Sequence, residues 1–112
     1  MAGPTVTDEG ATLADGTEQV LGTYAGSKYY AFGIDTTPMQ SGDTLEVRWY
    51  TKVNSGGTTH RFQVETYSGD QTVEPLSPNK LSGPFWIANE CKLTIKQTAG
   101  TNRTYSWEVL EP

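Results

Sequence analysis

A single histidine and a single cysteine, His60 and Cys91, set narrow limits on the chemistry open to this chain. Zinc centres draw Cys and His ligands at short, fixed spacings, and no His-x-His or Cys-x-x-Cys pair exists here. A hydrolytic triad would rest on His60 alone, and the Gly-x-Ser-x-Gly elbow that presents a nucleophilic serine is absent. His60 lies beside a Gly-rich turn, so a solvated position is expected. Cys91 sits among apolar residues with no base nearby to form the thiolate, and reads as a small core residue. One cysteine also excludes a disulfide within the chain. No Gly-x-x-x-x-Gly-Lys run offers a phosphate cradle. Asp8, Glu9, Asp15 and Glu18 cluster in sequence but lack the alternating oxygen ligands and closing glutamate of a calcium loop. Asn102-Arg103-Thr104 matches the glycosylation pattern and, with no secretion signal in MAGPTVTDEG, reads as chance. No catalytic residue, metal or cofactor is expected. The chain reads as one that binds or builds, not as an enzyme.

The aromatic residues remain. Trp49 and Trp107 fall on inward registers of strong strand patterns and belong to the core. Trp86 differs. It lies in Gly83-Pro84-Phe85-Trp86-Ile87, after a proline-rich stretch, and if Phe85 points inward its neighbour points outward. An exposed Trp86 beside Leu81 would be an interface anchor, because buried aromatics carry much of the energy at interfaces. Leu76, Leu81, Phe85, Trp86 and Val6 are therefore the candidate partner-contact residues. Tyr29, Tyr50 and Tyr67, on outward or ambiguous registers, are the candidates for a sugar-binding face.

These residues must be positioned by strands. Threonine is the commonest residue of the 112, and aromatic residues make up 11 %, a composition that suits half-buried pleated surfaces. Twelve glycines and six prolines interrupt the chain often enough for many turns. Residues 17–24 and 28–35 read as the first strands, with Tyr30, Phe32 and Ile34 on one face. Residues 36–43 form a loop in which Met39 plugs an end of the core. Residues 43–53 alternate with period two, Leu45, Val47 and Trp49 inward. A hairpin at 54–57 leads to residues 58–67, with Phe62 and Val64 expected inward and Arg61, Gln63 and Glu65 outward. Glu46 and Arg48 are expected to pair with Arg61 and Glu65 across the hairpin. Residues 71–74 read as a short edge strand and 75–84 as a loop with edge pieces. Residues 85–88 begin a strand, and 90–97 and 103–110 complete the set, with Cys91, Leu93, Ile95, Tyr105, Trp107 and Val109 inward. No segment has helical periodicity. The fold class is all-β: one antiparallel sandwich of seven to eight strands over residues 17–112, jelly-roll or immunoglobulin-like. Residues 1–16 read as an N-terminal arm or edge segment.

The net charge of −5 disfavours nucleic acid and anionic membranes as partners. No apolar run approaches the length of a membrane span.

Three pieces resemble short open reading frames among the structural genes of tailed bacteriophages. They are Gly16-Thr17-Glu18-Gln19, Met39-Gln40-Ser41-Gly42-Asp43-Thr44-Leu45-Glu46-Val47-Arg48, and Lys96-Gln97-Thr98-Ala99-Gly100-Thr101 with Trp107-Glu108. The resemblance implies a small β-sandwich virion protein, made in the host cytoplasm and mounted on the capsid surface as a cement or decoration protein. Its implied partners are the major capsid protein and neighbouring copies of itself, as dimers or trimers. The pattern marks turns and strands, so no site residues carry over. A tail, connector or fibre component and a carbohydrate-binding sandwich are the alternatives. On the capsid reading, the arm and the 75–89 segment make the contact, and loss of residues 1–14 is expected to weaken attachment while leaving the fold intact.

Overall fold

The structure, a computed structural model, describes residues 5–111. Eight strands run through it: β1 (Thr5–Leu13), β2 (Gln19–Ala25), β3 (Lys28–Asp35), β4 (Thr44–Thr51), β5 (His60–Ser68), β6 (Asn79–Ile87), β7 (Glu90–Ala99) and β8 (Thr104–Glu111). They form two antiparallel four-stranded sheets, β1-β8-β3-β6 and β2-β7-β4-β5. Successive strands cross between the sheets except at the β4–β5 hairpin. That order is the eight-stranded jelly roll, which decides between the two sandwich topologies expected from sequence.

The core lies between the sheets and follows the period-two pattern. Tyr30, Phe32 and Ile34 of β3 face Leu45, Val47 and Trp49 of β4, with Cys91, Leu93 and Ile95 of β7 and Tyr105 and Val109 of β8 beside them. Met39 is fully buried at one end, as its isolation in a polar loop suggested. That end is locked by polar groups. The buried Asp43 carboxylate accepts from the Gln40 N–H (2.9 Å), the Thr101 N–H (3.0 Å) and Arg103 Nε (2.9 Å). Beside it Gln97 accepts from the Tyr105 hydroxyl at 3.0 Å and donates to the carbonyls of Ala99 and Thr101. Gly100 has φ +87° and leaves no room for a side chain, since a Cβ there would lie 2.7 Å from Asp43 Cα.

Three expectations are corrected. In β5 it is Gln63, Glu65 and Tyr67, not Phe62 and Val64, that pair with the inward residues Trp49, Val47 and Leu45. The cause is a bulge between Trp49 and Tyr50: one extra residue flips every side chain beyond it. Phe62 still meets the Phe85 ring edge-on at 5.3 Å, while Val64 is exposed. Arg48 accordingly finds its carboxylates in Glu18 and Glu46 instead of across the β4–β5 hairpin. Second, residues 71–74 are turns, and the strand lies further on, as the full-length β6. Third, of the two alternatives for the N-terminal segment, residues 5–13 are not a free arm but an edge strand of the sandwich itself, paired with β8 from Thr5↔Glu111 to Leu13↔Thr104. Their loss would strip a core strand of its neighbour, so a truncation at residue 14 is not expected to leave the fold intact.

The four edge strands, β1, β2, β5 and β6, each belong to a ladder with a register irregularity. In β6 the edge also carries Pro84, which has no N–H to offer a new strand. Bulged and proline-bearing edges resist pairing with another chain.

Candidate interaction surface

With the edges protected, the two outer sheet faces are the surfaces open to a partner, and they differ in character. The outer face of β2-β7-β4-β5 satisfies itself. Arg48 bridges Glu18 at 2.9 Å and Glu46 at 3.1 Å. Glu18 also accepts from Thr94 Oγ1 at 2.7 Å and from the Tyr50 hydroxyl. Partial burial acts to raise the Glu18 pKa, but the bonds from Thr94 and Tyr50 and the Arg48 charge outweigh it and hold the carboxyl below its ordinary value. Lys92 lies over the Tyr50 ring, 4.4 Å from its centre.

The outer face of β1-β8-β3-β6 leaves its apolar groups uncovered. Strand alternation places Tyr29, Ala31, Gly33 and Asp35 of β3 on this side. Ladder pairing sets Val6 opposite Leu110, Leu110 opposite Ala31, and Tyr29 opposite Trp86. Leu81 is 72 % exposed, Trp86 56 %, and Tyr29 and Val6 49 % each. The Tyr29 and Trp86 rings meet edge-on at 5.0 Å. In the middle of the sheet lies an open trough of about 680 Å³, lined by residues that include Glu9, Gly33, Asp35, Leu81, Ser106 and Glu108. Gly33 is its floor. A Cβ added there would come within 3.0 Å of Leu81 and 3.2 Å of Glu108, so these two side chains close over the glycine and would have to shift for any larger residue.

Of the residues nominated from sequence, Val6, Leu81 and Trp86 share this one face, Val6 at its β1 edge and Leu81 and Trp86 at its β6 edge. Phe85 does not. It points into the sandwich, 6.3 Å from the rings of both Phe32 and Trp49, as it must when its neighbour Trp86 points out. Leu76 is exposed but lies in the turns between β5 and β6, outside the residues lining the trough. That Tyr29, Leu110, Gly33, Glu9 and Glu108 share a face with Trp86 is not legible in the sequence. Their outward registers were legible in part, but the β3–β6 and β1–β8 pairings that join them were not.

The sugar-face candidates separate. Tyr29 is on this face, Tyr50 is on the opposite one, and Tyr67 points inward on β5 with Lys80 over its ring at 5.0 Å. No coplanar platform results. The acidic N-terminal carboxylates also disperse. Asp8 accepts from the Tyr24 hydroxyl at 2.9 Å, Asp15 from the Thr17 N–H at 2.9 Å, and Glu18 belongs to the Arg48 network. No group of three or more acidic, His or Cys side chains among the described residues is arranged to hold a metal ion. His60 is exposed at the start of β5.

Cys91 is buried, and desolvation, helped by the Glu90 charge, pushes its thiol up to about 12. The thiolate is the reactive form. The native protein should therefore resist a thiol-specific reagent at neutral pH and react fully once unfolded in denaturant. Mass spectrometry of the two samples checks this, and rapid native labelling would contradict the burial.

No family model, no curated protein and no solved structure matches this chain.

Proposed function

We propose that this chain is a non-enzymatic structural protein of a bacteriophage particle, a capsid cement or decoration protein. It docks on the major capsid protein through the outer face of β1-β8-β3-β6. The observation that carries this reading is the contrast between the faces: one ties its charges into the Arg48 network and, among the described residues, exposes only the small side chains of Val20 and Val64 beside it, while the other exposes Leu81, Tyr29 and Trp86 side by side, with Val6 at its far edge. Grouped exposed apolar residues of this kind mark a contact surface, and a partially exposed tryptophan is the side chain best suited to anchor it. The bulged edges favour docking by a face over strand addition. Jelly rolls recur in viral capsid and lectin domains, which adds support at the level of fold analogy. A lattice of identical sites, with copies of the chain side by side, makes many modest contacts sufficient through avidity.

The test is co-sedimentation with purified capsids that lack the protein. Wild type should bind saturably at a fixed ratio to the major capsid subunit and raise the capsid's melting temperature. The Leu81→Ala/Trp86→Ala variant should keep its own fold and lose at least about tenfold in affinity, the loss expected for removing a hot-spot aromatic. Wild-type binding by that variant, or no saturable binding by the wild type, would overturn the proposal.

A further inference from the structure

The trough carries a second signal, in its charges. Glu9 and Glu108 are directly opposite each other in the β1–β8 ladder. Like charges at that spacing oppose sheet formation. Asp35, one row along on β3, adds a third carboxylate to the lining. Among the described residues no lysine or arginine forms an ion pair with any of the three. The ion pairs among the described residues join Lys28 to Glu111, Arg48 to Glu18 and Glu46, and Arg103 to Asp43. Lys80 lines the trough, but its ammonium group sits over the Tyr67 ring, on the inner side of the sandwich. The opposite face shows how this fold treats acidic groups when only stability is at stake: Arg48 stands between Glu18 and Glu46. A locally unfavourable pair kept without a counter-charge, in a trough bordered by uncovered apolar side chains, is the pattern of a surface shaped for something outside the chain.

Resting on the proposed docking face, we propose that its occupant is an extended segment of the partner protein that carries lysine or arginine between apolar residues. The apolar side chains lie on Leu81, Trp86 and Tyr29, and the cations enter the trough between Glu9, Glu108 and Asp35. The same charges reject a second copy of this chain as the occupant. Two such faces brought together would oppose carboxylate to carboxylate, on a chain whose net charge is already −5.

The experiment titrates the intact protein with a short peptide alternating lysine and valine, and with its glutamate–valine counterpart, following tryptophan emission. The lysine peptide should bind, more weakly as salt is raised, and the glutamate peptide should not. Glu9→Gln/Glu108→Gln should weaken the lysine peptide by about fivefold, the scale of two partly solvated ion pairs, while its melting temperature stays level or rises as the like-charge pair is relieved. Equal binding of the two peptides, or unchanged affinity in the double Gln variant, overturns the inference. The capsid assay keeps the two proposals apart. If Glu9→Gln/Glu108→Gln sediments with capsids like wild type while Leu81→Ala/Trp86→Ala does not, the face is the docking surface and the basic segment is wrong. If both variants sediment like wild type, the docking face itself is wrong.

Discussion

Replacement of Asp43 by alanine is expected to cost about 3–5 kcal/mol of folding stability, the scale for removing one partner of a buried, hydrogen-bonded ion pair. Asp43 is 2 % exposed and accepts three hydrogen bonds, from the Gln40 and Thr101 backbones and from Arg103. Alanine would leave two backbone N–H groups and a guanidinium without their acceptor. It would also untie the loop before β4 from the β7–β8 turn, where Met39 caps the core. Against a typical total of about 5–15 kcal/mol, such a loss is a large fraction. Urea denaturation of the variant and the wild type measures it, and a difference below 1 kcal/mol, on the order of one ordinary hydrogen bond, would show that water replaces the lock.

The same residue sets a pH dependence. Burial acts to raise the Asp43 pKa, but the bonds from Gln40, Arg103 and Thr101 and the Arg103 charge outweigh it, and the folded value lies below the ordinary one. The unfolded chain therefore takes up this proton first as pH falls. The stabilisation is fully present above the unfolded pKa, about 3.9, and is lost as pH drops through the lower folded value. Asp43→Asn should be less stable than wild type at neutral pH and should lose less on going to acid. Parallel acid titrations of the two proteins would rule this account out.

Removal of residues 1–14 should abolish cooperative folding, a loss on the order of the whole folding free energy, about 5–15 kcal/mol. β1 is the outer neighbour of β8, and β8 supplies Tyr105 and Val109, both fully buried. The Trp107 indole lies against Gly10, with 2.9 Å between its ring and the place of a Cβ, and donates to Thr12 at 3.1 Å. Asp8 holds the Tyr24 hydroxyl, Leu13 accepts from Gln19, and Ala14 donates to the Arg103 carbonyl at 2.9 Å. Without this strand, β8 becomes a flat edge and Trp107 loses its cover. The truncated protein should show no sharp thermal transition and should bind a dye for exposed apolar surface. A sharp transition close to wild type would mean that the other seven strands suffice, and attachment assays on that truncation would then report on binding alone.

Single-strand patterns were legible because alternation is local. Lys28–Asp35 was read with its bounds and its buried face, and Leu45, Val47 and Trp49 were read as inward, since each strand's own sequence carries period two. Val64 turns outward because a bulge at Phe62 in the β4–β5 ladder, which neither strand's pattern reveals, shifts the phase, while Phe62 itself still reaches Phe85. β1 reads from its sequence, TVTDEGATL, only as an arm or edge segment because it has little apolar alternation. It is a strand because β8, the best part of a hundred residues later in the chain, offers it a ladder, and such long-range pairing leaves no local trace.

The candidate surface divides in the same way. Trp86 and Leu81 were legible one at a time, from a proline-rich context and from alternation against Phe85. Their assembly with Tyr29, Val6 and Leu110 depended on the order β1-β8-β3-β6, and so did the trough over Gly33 and the facing carboxylates Glu9 and Glu108. An all-β sandwich, the inward residues of most strands and the outward turn of Trp86 follow from the order of residues alone, because side-chain direction within a strand is a property of neighbours along the chain. The jelly-roll topology, the place of β1 in the fold and which exposed residues share a face emerge from the folded arrangement, because pairing between strands is chosen by packing among segments far apart in the chain.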